Sequence, residues 1–166
     1  MTNHTHTYSL ETIWEGNRGE GTRTYAGYGR GHRLVVPHKP DIALTADVAF
    51  RGEPGVHNPE DLLVAALSSC HMLSYLALCA LAKIEVTAYT DRASGTMITD
   101  NTGGGHFTEV TLHPHVTIAD AKDLEKAREL HEKAGKLCFI ASSVNFPVKH
   151  EATVEVNAEF GIRNAE

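Results

Sequence analysis

The stretch NPEDLLVAALSSCHMLSYLALCALA, residues 58–82, is the segment on which the architecture turns. Asn58 can cap a helix, Pro59 suits a first helical position, and Glu60 and Asp61 oppose the positive end of the helix dipole. Residues 62–82 then run for 21 positions without Asp, Glu, Lys or Arg. At the α-helical rise this is roughly 30 Å, long enough to cross a bilayer. Ser68, Ser69, His71 and Ser74 fall at its midpoint, where lipid tolerates polar groups least. The flanks are acidic before and hold a lone Lys83 after, with none of the basic asymmetry of a membrane span. The segment therefore reads as the central helix of a soluble core, apolar on all sides. One domain has difficulty covering such a helix completely, so a homodimer is expected.

Around this helix the chain alternates short apolar segments with turn residues. Residues 8–14, 22–28, 32–36 and 43–50 are expected as strands, with turns at 16–21 and 29–31 and a loop at 37–40. Residues 84–97 and 107–118 read as a strand and its return across a glycine-rich tip at 100–106. That tip lacks the Lys-Ser/Thr of a phosphate loop and precedes no helix, so it is a turn. Asp120 is the expected cap of a second helix, with Leu124, Ala127, Leu130, Ala134 and Leu137 on one stripe. Residues 146–160 read as a closing strand. Strands flank two helices without βαβ alternation: an α+β class and a single domain over 1–166.

Composition narrows the function. With 166 residues, 42% apolar and 22% charged, the chain can bury a core of its own. A net charge of −6 disfavours nucleic acid and anionic membrane surfaces. The polar, His-rich start shows no secretory pattern, and three cysteines do not make a secreted disulfide framework. A cytoplasmic setting is expected, where a disulfide would be transient rather than structural.

Cys70, in Ser68-Ser69-Cys70-His71, and Cys138, in Lys136-Leu137-Cys138-Phe139, are the candidate reactive residues. Cys79 lies nine residues past Cys70, about 13 Å along one helix, too far for a bridge, and reads as core filler. Cys70 and Cys138 are free to meet in three dimensions. Each reads either as a small inert hydrophobe or as half of a redox pair. His71 lies 100° round the helix from Cys70 and is a poor candidate for a Cys–His pair. His113 and His115 share a strand face but flank Pro114 with no further ligand at suitable spacing, so no metal is expected.

The run Phe50-Arg51-Gly52-Glu53-Pro54-Gly55-Val56-His57-Asn58-Pro59-Glu60-Asp61-Leu62-Leu63, followed by Ala65-Ala66-Leu67-Ser68-Ser69-Cys70, resembles the OsmC/Ohr family. These are the osmotically inducible and organic-hydroperoxide-resistance proteins. The shared features are Asn-Pro-Glu at a helix start, a cysteine ten residues after the glutamate, and a second cysteine at the end of the next helix. The resemblance implies an OsmC-like fold with two central helices packed against antiparallel sheets. It further implies an intertwined homodimer, active sites at the subunit interface, and no cofactor. Cys70 would be the peroxidatic thiol, Cys138 its resolving partner through a Cys70–Cys138 disulfide, and an external dithiol the reductant. Glu60 would hold an arginine that activates the thiol. The OsmC branch carries that arginine where this chain has Ala49, so Arg51 is the first candidate, on the same face if the strand continues. Arg18 is the second, by analogy with the Ohr branch. Phe139 stands where many members have proline. Ten residues of straight helix separate Glu60 from Cys70 by roughly 15 Å, so Glu60 reaches that thiol only if the helix breaks or a partner subunit supplies it. The alternative function is a non-catalytic, stress-related dimer holding an apolar ligand in its cleft.

Overall fold

In the computed structural model, which describes residues 4–157, the chain forms β1 (Glu11–Trp14), β2 (His32–Val35), β3 (Ile42–Leu44), α1 (Pro59–Leu81), β4 (Val86–Asp91), β5 (Ser94–Thr99), β6 (Gly105–Leu112), β7 (Pro114–Ile118), α2 (Leu124–Leu137), β8 (Val148–His150) and β9 (Thr153–Val156). The α+β class holds. Backbone proximity divides the chain into two units, the first ending at Leu62 and the second beginning at Leu63.

The first unit is an antiparallel sheet, β1-β2-β3, with a long excursion between β1 and β2. A clasp closes the excursion: Gly29 N–H donates to Gly16 O at 2.8 Å, and Trp14 Nε1 donates to Gly29 O at 2.9 Å. A Cβ on Gly16 would lie 1.8 Å from that carbonyl, so only glycine fits. The strand expected at 22–28 does not form. Its carbonyls are taken by a side chain instead, since the Arg30 guanidinium donates to Tyr25 O and Tyr28 O. The strand expected at 43–50 stops at Leu44. Asp47 accepts from Ala49 N–H and caps a 3-10 turn, Val48–Phe50, which ends in left-handed backbone at Arg51 (φ 68°).

α1 begins where the sequence places it. Asn58 Oδ1 accepts from Asp61 N–H at 2.7 Å, and Asp61 Oδ2 accepts from Asn58 N–H at 3.3 Å, a reciprocal capping box. Replacing Asn58 with alanine is expected to cost about 1 kcal/mol of stability, read as a lower urea midpoint with an unchanged slope. The helix is unbroken to Leu81. By length and composition it could cross a membrane, yet one face, Leu67, His71, Tyr75, Leu78 and Cys79, is packed into protein.

The second unit carries two three-stranded sheets, β4-β7-β9 and β5-β6-β8. The long pairings are antiparallel as expected, but β8 and β9 join β6 and β7 in parallel, so both sheets are mixed. One core gathers Tyr75, Leu78 and Cys79 of α1 with Val116, Ile118, Ala127, Leu130, Ala134 and Val154. A second gathers Leu67, Val110 and Leu112. The strands expected at 84–97 and 107–118 are each broken in two. Asp91 explains both breaks: its carboxylate accepts from Ser68 Oγ and from His113 N–H. Pro114, which has no N–H, then starts β7. The closing strand expected at 146–160 is two short strands, and its positions 158–160 lie outside the described residues. Asp120 caps a 3-10 turn, Ala121–Asp123, rather than α2 itself, whose N-cap Asp123 makes no side-chain capping bond.

Candidate active site

Cys70 lies on α1 and Cys138 at the C-terminal cap of α2, where the backbone turns extended (φ −69°, ψ 111°). The fold brings the two near enough for the Cys70 sulfur to act on the Cys138 thiol, and both are free thiols. Cys138 is 1% exposed, whereas Cys70 is half-buried. Ala141 N–H donates to Cys138 Sγ at 3.3 Å, and Ser142 N–H and Oγ both donate to Cys138 O. These bonds fix the short 3-10 turn Ala141–Ser143 around the sulfur. Burial, and then the nearby Cys70 sulfur, push the Cys138 thiol up to about 11, so it is protonated at neutral pH. Cys79 is buried in the core, where burial raises its thiol too, in keeping with a packing role.

Beneath the thiols lies a histidine cluster that sequence reasoning missed. His71 turns away from Cys70 into the core, its Nε2 3.1 Å from His131 Nδ1, the two rings stacked. His131 stacks in turn on Tyr75, with ring centroids 3.9 Å apart. Burial is the main reason both imidazoles stay neutral, His71 lowered to about 4 and His131 to about 3. The signal was present in the α2 stripe: position 131 shares the buried face of 127, 130 and 134. A cavity of about 210 Å³ opens beside the cluster, lined by Leu67, His71, Leu112, Cys138 and His150 among others.

The remaining candidates lie in the first unit. Glu60 Oε2 is buried and has no hydrogen-bond partner among the described residues. Neither Arg18 nor Arg51 forms an ion pair with it there. Arg51 is exposed, in the left-handed turn rather than on a strand, its guanidinium 5.9 Å from the Tyr25 ring centroid. Arg51 therefore does not share the face of a continuing strand, because β3 ends at Leu44 and Asp47 caps the 3-10 turn that follows. Arg18 is also exposed, in the long excursion rather than a tight hairpin turn. A third arginine, unremarked in the sequence, is the best fixed of the three: Arg30 lies 4.4 Å from the Tyr25 ring centroid and 4.0 Å from that of Tyr28.

A family model described as OsmC-like protein matches residues 52–153, more than half of the chain. The chain belongs to the OsmC-like protein family. Among solved structures, it is similar to an OsmC-like protein of unknown function from Vibrio cholerae, at 30% identity and a TM-score of 0.79, covering 90% of this chain and 100% of that one. It also shares the fold of an organic hydroperoxide resistance protein from Elizabethkingia anophelis, at 20% identity and a TM-score of 0.64, with 93% and 100% covered. A third is an organic hydroperoxide resistance protein from Legionella pneumophila, at 18% identity and a TM-score of 0.62, with the same coverage. No curated protein matches the chain significantly. In this OsmC-like chain the two helices are packed on sheets as in those structures.

Proposed function

We propose that this OsmC-like protein is a cytoplasmic thiol peroxidase that reduces organic hydroperoxides. The observation that carries the reading is the closeness of two free thiols 68 positions apart in the sequence, one half-buried and one buried. Cys70 as thiolate attacks the terminal peroxide oxygen, the O–O bond breaks, Cys70 becomes a sulfenic acid, and the leaving alkoxide takes up the proton that the Cys70 thiol released and departs as the alcohol. Cys138 attacks that sulfur, an S–S bond forms, and water leaves. An external dithiol then reduces the Cys70–Cys138 disulfide. The two thiols carry this chemistry without a cofactor. The apolar surroundings of Cys70, beside Leu67 and Leu73, favour alkyl over hydrogen peroxide. Equal rate constants with both oxidants would overturn that preference.

The active unit is a homodimer. α1 is continuous, so Glu60 and Cys70 of one chain stay roughly 15 Å apart along it. A second copy is therefore the source of the glutamate, and of Arg18 or Arg51, for each thiol. Leu73 (63% exposed), Leu81 (83%) and Phe139 (81%) are the apolar surface that such a copy covers.

The test is peptide mass mapping after one equivalent of cumene hydroperoxide. Wild type is expected to yield a Cys70–Cys138 disulfide, and Cys138→Ser a sulfenic acid on Cys70. Untouched thiols would favour the second reading, a non-catalytic dimer holding an apolar ligand. Glu60 Oε2, buried without a hydrogen-bond partner among the described residues, is the observation on that reading's side.

A further inference from the structure

Resolution requires that Cys138 lose a proton it holds tightly, and one residue on the cavity wall is arranged to take it. His150 ends β8, and its Nε2 lies 3.1 Å from Glu132 Oε1 on α2. A carboxylate only accepts, so this bond keeps the proton on Nε2 and leaves the lone pair of the neutral ring on Nδ1. Nδ1 faces Gly135, where an ideal Cβ would lie 3.6 Å away, one turn of α2 before Cys138. The cavity of about 210 Å³ is lined by both His150 and Cys138 and is wide enough for a bridging water.

We propose that His150, oriented by Glu132, accepts the Cys138 proton during disulfide formation. The step rests on the peroxidase reading and balances. The Cys138 S–H bond breaks with its proton passing to Nδ1. The sulfur attacks Cys70, and the S–O bond of the sulfenic acid breaks. The leaving hydroxide takes the proton from the imidazolium and departs as water. Cys138 sulfur is oxidised and Cys70 sulfur reduced, with no further reagent.

The other groups facing His150 do not replace it. On α1, the His71 ring centroid is 5.3 Å away, but its Nε2 is engaged with His131. On α2, the His131 centroid is 6.4 Å away within that same buried pair, and Lys136 on the cavity wall is a cation with no lone pair to offer. β6 contributes only the apolar Leu112 to the cavity.

The experiment follows Cys70 sulfenic acid, trapped with dimedone, and disulfide in quenched samples after one equivalent of cumene hydroperoxide. His150→Gln, whose amide can still donate to Glu132, is expected to slow disulfide formation at least about tenfold near pH 7, with sulfenic acid accumulating. The deficit should shrink steadily as the pH rises towards about 11, where the thiol gives up its proton to solvent. Gly135→Ala, whose methyl makes only ordinary contact with the ring, should slow the same step by crowding Nδ1. A wild-type rate in His150→Gln, or a slowing that is the same at all pH values, overturns the proposal. A second measurement stands apart from peroxide chemistry: the reaction of Cys138 with methyl methanethiolsulfonate in a Cys70→Ser background. There, too, His150→Gln should slow exchange near neutral pH only. Equal rates would dismiss His150 even if peroxide leaves Cys70 untouched, whereas a difference there with an unreactive Cys70 would fault the peroxidase reading alone.

Discussion

Cys70→Ser is expected to lower the consumption of cumene hydroperoxide by at least about a thousandfold, because a serine hydroxyl has almost no anion at neutral pH while the thiolate is the nucleophile. Cys138→Ser should behave differently. It retains the attacking sulfur, so one equivalent of peroxide per subunit is consumed in a burst, and turnover with a dithiol then falls well below wild type. The difference follows from position: Cys70 is half-buried, whereas Cys138 is shut behind Ala141 and the 3-10 turn. A peroxide assay with and without dithiothreitol distinguishes the two variants. If Cys70→Ser kept wild-type turnover, the assignment of roles would be reversed or void.

The second large effect is on stability. His71 and His131 are about 2% exposed and are held neutral at pH 7, with folded values of about 4 and about 3 against an unfolded value of 6.5. Between pH 6.5 and 4 the unfolded chain binds protons that the native chain refuses. Stability is therefore complete above the unfolded value and falls as pH drops towards the folded ones. The loss by about pH 4.5 is on the order of 3–5 kcal/mol for the pair, or a fall of about 6–20 °C in Tm. Exposed carboxylates contribute mainly below this window. His131→Phe keeps the stack on Tyr75 and removes one titration, so its Tm should fall about half as steeply over the same range. An equal slope in that variant would place the acid sensitivity elsewhere.

The parts of the fold legible in the sequence were those set by local chemistry. Asn58, Pro59 and Asp61 announce α1 because a helix start is settled within four residues. The buried face of α2 was visible in its period, although Leu137 at its end is 48% exposed. What escaped reading depends on distant side chains. Nothing local says that the Asp91 carboxylate reaches Ser68 and His113 and so cuts two strands. Nothing local says that Arg30 occupies the carbonyls a strand at 22–28 would need. The site divides in the same way. The spacing of Cys70 and Cys138 left their meeting open, and only the fold brings the thiols near each other. The histidine cluster draws on α1, α2 and β8, three segments whose juxtaposition no single stretch of sequence encodes.

Because Cys138 is buried and keeps its proton, it is a poor target for any oxidant that enters the molecule. If Cys70 is the peroxidatic thiol, wear would therefore concentrate on a single atom, its sulfur. Oxidation there beyond the sulfenic acid is irreversible without a dedicated repair enzyme. In the proposed cycle each subunit would thus have a finite service life, set by a race at every turnover between the second thiol and a second molecule of peroxide.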